Sequence, residues 1–335
     1  MPGNTPRAQH SGLDAGGNGH TGRSIWLRLR ESVLQFARKS PLPSHPATAS
    51  EPRIGLALGG GFARGLAHIG VLKILVENRI PIHVIAGTSV GSIVGAAFAS
   101  GATPKEMIEK ARNIRWSSFA RWTIHRLGVA KTDRMDEMLV QLFHRLRFED
   151  LAIPLHVLAT DLSTGEPVIF SHGDLILAVR GSCSFPGLFV PVEYQGRMLV
   201  DGALLASVPS EALRGAGVDA IIGVHLKTVN HRHTPTNIFQ VVGQAFQIAE
   251  SRNSPCWRND CDVVIEPELS NYTWDDYEKI DEMIAEGERA AIASLPAIHQ
   301  LLDQKPVGSS QRQVQDSRSS IERERTHQEM RVSKG

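Results

Sequence analysis

The 335-residue sequence is poor in several features that identify particular classes of protein. Its three cysteines, Cys183, Cys256 and Cys261, are too few for a disulfide scaffold and indicate a reducing compartment. Basic and acidic residues almost balance at 36 and 35, so the net charge gives no argument for a nucleic-acid partner. No apolar run reaches the roughly 18 residues that cross a bilayer, and the polar N-terminus lacks a signal-peptide pattern. These absences predict a cytoplasmic protein that contacts a membrane at most peripherally, at the inner membrane surface.

By composition the chain divides into three parts. Residues 1–52 predict a flexible extension, because residues 1–22 and 40–52 are rich in Gly, Pro, Ser and His; a basic amphipathic helix is predicted between them, near residues 23–39. This helix suits a membrane surface, and it equally suits packing against the domain or a partner. Residues 53–303 contain the apolar material of a folded domain. The polar segment 304–335 predicts a disordered tail.

Within the folded part, short apolar runs alternate with helical patterns. The runs predict strands at 53–58, 82–87, 155–162, 219–226 and 261–267. Helices are predicted around 64–78 and 90–100, directly after the first two strands. This alternation is typical of an α/β fold with a mostly parallel sheet covered on both faces.

A G-x-S-x-G pattern, Gly87-Thr88-Ser89-Val90-Gly91, lies between the second predicted strand and an apolar helix. In that position the glycines permit a sharp turn that exposes the Ser89 hydroxyl, and the helix dipole points at it. A serine hydroxyl becomes an effective nucleophile only when a base removes its proton. The pattern therefore predicts a nucleophile at Ser89 and requires a base elsewhere in the chain.

No histidine is well placed to act as that base. His225 falls in a predicted strand, which favours a packed ring, and His231 and His233 lie in a polar loop without a motif. Asp201 instead ends an apolar run and precedes Gly202, where the backbone can turn sharply. An aspartate bonded directly to the serine could accept its proton without a histidine.

Gly59, Gly60 and Gly61 form a turn between the first predicted strand and a helix. Such a turn offers backbone N–H groups either to a permanent phosphate or to an oxyanion that exists only during a reaction. No Gly-Lys-Ser/Thr follows the turn, and the second strand does not end in the acidic residue that would hold a ribose. A bound nucleotide is therefore not expected, and an oxyanion hole is the better interpretation.

Four stretches together resemble the patatin-like phospholipase family: GLALGGGFARGLAHIGVLKIL, GTSVGS, ATDLSTGEPVIFSHGDLILAVRGSCSFPGLFVPV and LVDGAL. The resemblance covers about Ile54 to Leu226 and favours the bacterial branch related to neuropathy target esterases. It implies a three-layer α/β/α sandwich and a Ser-Asp dyad that hydrolyses acyl esters of phospholipids or lysophospholipids, without metal or cofactor. The implied site residues are the nucleophile Ser89, the base Asp201, the oxyanion-hole residues Gly59, Gly60 and Gly61, and the supporting residues Arg64, Gly87, Gly91 and Gly202.

Two positions depart from the family pattern. Ala203 follows Asp201-Gly202 where many members have a second glycine, and Gly181 stands where alanine is commoner. Neither change removes a catalytic group. Arg64 occupies the family's basic position, and the sequence leaves open whether it orients the loop or meets a lipid phosphate.

Other functions compete with hydrolysis. A non-catalytic lipid- or partner-binding protein on the same fold is the main alternative, although such a protein need not retain both dyad residues. A metal site is not expected, because His231, His233, Cys256 and Cys261 have poor ligand spacing.

Residues 111–127 interleave aromatic and basic side chains, among them Trp116, Phe119 and Trp122. The spacing predicts a helix. Its aromatic residues would either pack on the core or contact a membrane interface near the substrate entrance.

Overall fold

The computed structural model describes residues 52–119, 121–227, 238–253 and 255–303. The predicted basic helix near residues 23–39 and the predicted tail at 304–335 lie outside these ranges. Among the described residues, no helix combines the length and the apolar character that crossing a bilayer requires.

Strands and helices alternate along most of the described chain. The strands are β1 (Ile54–Leu58), β2 (Val84–Thr88), β3 (Arg121–His125), β4 (Gly128–Lys131), β5 (Leu155–Asp161), β6 (Pro167–Phe170), β7 (Gly187–Phe189), β8 (Val192–Tyr194), β9 (Arg197–Asp201), β10 (Ala220–Val224) and β11 (Val263–Ile265). The α-helices are α1 (Ala67–Glu77), α2 (Val90–Ser100), α3 (Pro104–Ala111), α4 (Asp133–Leu142), α5 (Leu175–Ser182), α6 (Ile238–Asn253), α7 (Pro255–Asp260) and α8 (Ile280–Asp303). Short 3-10 helices occur at Phe62–Leu66, Trp116–Ser118, Phe148–Asp150, Gly202–Leu204 and Ser210–Leu213.

Eight strands form a central sheet in the order β11-β10-β1-β2-β5-β9-β8, with β6 paired to β5 outside this path. The strands from β11 to β5 run parallel, whereas β6, β8 and β9 pair antiparallel. Strands β3, β4 and β7 form a second, smaller sheet. The predicted α/β class with a mostly parallel central sheet is confirmed.

Both faces of the central sheet are covered, and alternate residues of β1 serve each face. Leu56 and Leu58 face the larger core, which α1, α2, α5 and α8 complete. Ala57 faces a smaller cluster that contains Leu213 and Trp257. The helical layer on the side of this smaller cluster is thin, because Leu213 belongs to a 3-10 helix and Trp257 to the short α7.

Most of the strands and helices predicted from the sequence are present in the structure, and one predicted helix is wrong. The five predicted strands are present as β1, β2, β5, β10 and β11, and the two predicted helices are present as α1 and α2. The predicted helix over residues 111–127 is wrong, because α3 ends at Ala111 and the chain continues through a 3-10 turn into β3 and β4. The β-branched pair Thr123-Ile124 favours extended backbone, and β4 gains a partner in β7 that the local sequence does not reveal.

Candidate active site

The candidate site lies where two strands meet head-on along one edge of β5. Thr88, the last residue of β2, pairs with Leu158, and Asp201, the last residue of β9, pairs with the next residue, Ala159. Strand β6 pairs with both Leu158 and Ala159, so β2 and β9 must share the other edge of β5. Because β2 runs parallel and β9 antiparallel to β5, their C-terminal ends face each other. This arrangement brings the predicted nucleophile and the predicted base together.

Ser89 follows β2 in a conformation that few non-glycine residues adopt, with φ of 53° and ψ of −126°. Such backbone costs roughly 1–3 kcal/mol and persists only where the surroundings hold it. A methyl group on Gly91 would overlap the carbonyl oxygen of Leu58, and one on Gly87 would come within 2.6 Å of Ser92 Cα. The close approach of α2 to the sheet therefore needs both glycines of the predicted turn.

Ser89 and Asp201 are in direct contact although 112 residues separate them in the chain. Ser89 Oγ donates a hydrogen bond of 2.7 Å to Asp201 Oδ2, and the N–H of Ala203 donates to Asp201 Oδ1 at 2.9 Å. Both residues are buried, with 8% and 2% of their surfaces exposed. A methyl group on Gly202 would overlap the carbonyl oxygen of Leu158, so the chain turns here without room for a side chain.

Two further serines, which no motif marks, hold the Ser89 backbone. The Ser89 N–H donates to Ser182 Oγ at 2.8 Å, and that hydroxyl donates in turn to the Leu158 carbonyl at 2.6 Å. On the other side, Ser92 Oγ donates to the Ser89 carbonyl at 2.6 Å. Ser92 could have been inferred from its place one helical turn after Ser89, whereas Ser182 lies 93 residues away and gives no local signal.

The three glycines of the loop after β1 differ in their partners. The N–H groups of Gly59 and Gly60 donate to the carbonyls of Val224 and Ser207, each at 3.0 Å. In the part of the chain that the structure describes, no group accepts a hydrogen bond from the N–H of Gly61. A methyl group on Gly60 would lie 3.5 Å from Ser89 Cβ, so the loop borders the serine. Two of the three amides anchor the loop, and the third is unengaged.

His68, which no sequence pattern marked either, holds this loop through a hydrogen bond to Gly59. Its Nε2 lies 2.8 Å from the Gly59 carbonyl, and because a carbonyl can only accept, Nε2 carries the proton. Its Nδ1 is buried with no hydrogen-bond partner. Complete burial lowers the pKa of His68 to about 4, against a smaller opposing effect of the Gly59 hydrogen bond. At neutral pH His68 is therefore an uncharged donor that fixes the loop.

Arg64 is buried next to the site, with only 5% of its surface exposed. Its Nε donates to the Gly61 carbonyl at 3.4 Å, a long contact that ties the side chain to the loop. Arg64 lines the small space that also contains Ser89 and Asp201, and it lines a larger groove outside that space. The guanidinium thus lies between the predicted dyad and the groove.

Ser89 lines an apolar cavity of about 80 Å³, whose walls also include Ile93, Met107, Met135 and Phe189. The larger groove lies on the other side of Phe62 and is more polar. Its walls include Val129, Leu188, Gln240, Val242, Gln244 and Thr273.

Phe62 lines both spaces and has a φ of 53°, unusual for a side chain of this size. Its ring packs edge-on against Phe185 and Trp274, at centroid distances of 5.1 and 5.5 Å. The ring therefore stands as a wall between the cavity and the groove.

The alternative site residues have other partners. His225 follows β10, and its Nδ1 lies 2.7 Å from Glu266 Oε1; burial lowers its pKa. Cys261 Sγ donates to the Trp257 carbonyl at 3.4 Å. His231, His233 and the Cys256 side chain lie outside what the structure describes, and among the described residues no three His, Cys, Asp or Glu side chains converge on one point.

Part of the chain matches a known protein family. Residues 56–214 match the model of the family described as patatin-like phospholipase. This stretch is a patatin-like phospholipase domain. An uncharacterized NTE family protein of Mycobacterium tuberculosis is 36% identical over 181 residues, which are 53% of this chain and 50% of the relative. The predicted relationship to bacterial NTE-related proteins is confirmed.

Two further matches are more distant. Lysophospholipase nte1 of Aspergillus fumigatus is 31% identical over 53% of this chain and 12% of its own length. The crystal structure of VipD from Legionella pneumophila superposes with a TM-score of 0.45 at 13% identity, over 78% of this chain and 73% of that one. This chain spans about half the length of the mycobacterial relatives that it matches.

The two departures of this patatin-like domain from the family pattern do not disturb the site. An alanine methyl at Gly181 would meet Leu199 Cδ1 at 3.4 Å, an ordinary van der Waals contact. Ala203 supplies the backbone N–H that bonds Asp201, which a glycine at this position would supply equally.

Proposed function

We propose that the protein is a serine acyl hydrolase that cleaves the carboxylic ester bonds of phospholipids or lysophospholipids. The observation that carries the proposal is the 2.7 Å hydrogen bond from Ser89 Oγ to Asp201 Oδ2 at the mouth of an apolar cavity. Hydrogen-bond contact between a nucleophile and its base is the geometry that general-base catalysis needs. The patatin-like domain and the relative called lysophospholipase support the lipid ester as substrate.

In the proposed reaction, Asp201 accepts the Ser89 proton as Oγ attacks the ester carbonyl. The carbonyl oxygen becomes negative in the tetrahedral intermediate, and backbone N–H groups that already point at it lower the barrier. Of the glycines expected to form this oxyanion hole, Gly61 supplies the unengaged N–H, while Gly59 and Gly60 hold the loop in place. Asp201 then passes its proton to the departing alcohol, which leaves an acyl group on Ser89.

Deacylation uses the same groups in the opposite sense. Water takes the position of the departed alcohol and loses a proton to Asp201 as it attacks the acyl-serine. The fatty acid is released when the tetrahedral intermediate collapses and Ser89 regains its proton. The apolar cavity beside Ser89 would hold the acyl chain throughout, because its walls offer almost no polar surface to water.

The dyad is tested by Ser89→Ala and Asp201→Asn, with Ser100→Ala as a control that removes a buried hydroxyl from the same helix. Products from a mixed lipid extract are measured by mass spectrometry, and Ser89 labelling by a fluorophosphonate probe. We expect both dyad variants to lose roughly 10,000-fold or more in hydrolysis, because removal of one triad member slows a serine hydrolase by about 10⁴- to 10⁶-fold. Full activity in either variant would refute the mechanism.

A non-catalytic lipid- or partner-binding protein is the second candidate function. The labelling experiment separates the two, since a binding protein gives no reason for Ser89 to be more reactive than other serines. Folded protein that binds lipid but takes up no probe at Ser89 would establish the binding function instead.

A further inference from the structure

The β3–β4 hairpin carries apolar side chains that are exposed to solvent. Trp122 on β3 is 61% exposed, and Leu127 in the turn is 50% exposed. At the start of α6, Ile238 and Val241 are 65% and 49% exposed. We call these residues, together with the hairpin cations Arg126 and Lys131, the rim. Val129 of β4 and Ile238 line the same groove, so the two elements are neighbours, and exposed apolar side chains on neighbouring elements are typical of a contact surface.

The chain around the rim is strongly basic although the whole protein is nearly neutral. Residues 112–134 contain six basic residues and one acidic residue. Arg112 and Arg121 are paired, with Asp281 and Asp133 respectively. Arg126 and Lys131 are exposed and have no ion-pair partner among the described residues. An unpaired positive surface next to exposed tryptophan and leucine suits a negatively charged partner that also has an apolar interior.

The rim is continuous with the candidate active site. Strand β4 pairs with β7, and Val129 of β4 and Leu188 of β7 both line the groove, as does Ile238 of the rim. Phe62, Arg64 and Phe185 line both this groove and the small space that contains Ser89 and Asp201. The groove therefore extends from the rim to the border of the candidate site.

We propose that the rim docks on the surface of an anionic phospholipid bilayer, with the groove open toward the membrane. Tryptophan is favoured at the interface between headgroups and acyl chains, and nearby Lys and Arg side chains are attracted to anionic headgroups. Docking would let a substrate lipid pass from the bilayer into the groove without exposing its acyl chain to water. The purpose of the surface rests on the proposed hydrolase function, but the binding itself does not depend on catalysis.

The test uses full-length Ser89→Ala protein, which cannot consume the vesicles, in co-sedimentation with phosphatidylglycerol and with phosphatidylcholine vesicles. We expect binding to phosphatidylglycerol that added salt weakens, and little binding to phosphatidylcholine. In the same background, R126Q/K131Q should bind roughly 25-fold more weakly, from about a fivefold contribution of each cation near an anionic surface. Trp122→Ala should bind roughly tenfold more weakly.

The matched control is R79Q/K105Q, which removes two exposed cations outside the rim and should bind within twofold of the parent. With Ser89 present, all these variants should hydrolyse a soluble short-chain ester like the unaltered protein. Loss of vesicle binding in the control equal to that in R126Q/K131Q would overturn the proposal. The proposal would also be overturned if the protein bound no vesicles and instead formed a dimer in solution that dissociates in Trp122→Ala.

The experiment keeps the two proposals apart. Ester hydrolysis without vesicle binding would refute docking and leave the hydrolase intact. Rim-dependent vesicle binding without Ser89 labelling would support docking and refute the hydrolase.

Discussion

Ser182 offers a sharp test of how the strained Ser89 is held, because its hydroxyl bridges the turn at Ser89 and the central strand β5. In Ser182→Ala, the buried N–H of Ser89 loses its acceptor and the Leu158 carbonyl loses one donor. An orphaned buried N–H costs about 1–3 kcal/mol, so we expect the free energy of unfolding to fall by about 2 kcal/mol. For a domain of this size that corresponds to a fall in Tm of about 4–8 °C.

The effect on catalysis follows from the same loss. Ser89 has a costly φ of 53°, and hydrogen bonds from its N–H to Ser182 and from Ser92 to its carbonyl hold the residue in this conformation. Without one of them the turn relaxes and the contact between Ser89 Oγ and Asp201 lengthens. A loss of about 2 kcal/mol expressed in the transition state lowers kcat about 30-fold. Substrate binding in the apolar cavity does not involve Ser182, so KM should stay the same.

The matched control is Ser184→Ala, two residues along the same segment. Ser184 Oγ donates to the Arg180 carbonyl at 2.8 Å and has no contact with the Ser89 backbone. We expect Ser184→Ala to keep the kcat and the fluorophosphonate labelling rate of the unaltered protein, measured well below Tm. If Ser182→Ala lowered Tm but kept full kcat and labelling, Ser182 would be a structural residue and the positioning role would be refuted.

Two further predictions concern the turn after β9 and the histidine under the loop. Gly202→Ala places a methyl group on the Leu158 carbonyl and should abolish labelling of Ser89, whereas Gly181→Ala makes only an ordinary contact and should keep Tm within about 2 °C. His68 has a folded pKa of about 4 and an unfolded pKa near 6.5, so between these values the unfolded chain binds a proton that the folded one does not. The free energy of unfolding should therefore decrease as the pH is lowered. In urea unfolding, we expect the decrease from pH 7 to pH 5 to be about 2 kcal/mol larger in the unaltered protein than in His68→Gln. Equal pH dependence in both proteins would contradict the buried neutral state.

How much of the molecule the sequence could reveal depended on the range of the interactions. The parallel strands and the turn at Ser89 were predictable, because long apolar runs and G-x-S-x-G are local patterns. The location of Asp201 at a strand end was also readable from Gly202 and the run before it. Strands such as β7 and β8 have three residues each, too few to show a period.

Other features were hidden by misleading or missing local signals. Trp116, Phe119 and Trp122 recur every three residues and imitate a helix, yet this stretch forms a turn and a hairpin stabilised by pairing with β7. The contact of Ser182 with Ser89 spans 93 residues and leaves no trace in either local sequence. Such contacts are set by the packing of whole elements, which a motif does not encode.

The head-on meeting of β2 and β9 has a consequence for folding. The contact between Ser89 and Asp201 exists only when two strands from distant parts of the chain are both in register on the same edge of β5. A slip of one residue in either strand turns its side chains to the opposite face and separates the pair. Helix α2 can form within microseconds, whereas non-local strand pairing is slow. If Ser89 reacts as proposed, its covalent capture during refolding would therefore report when β2 and β9 have both paired with β5.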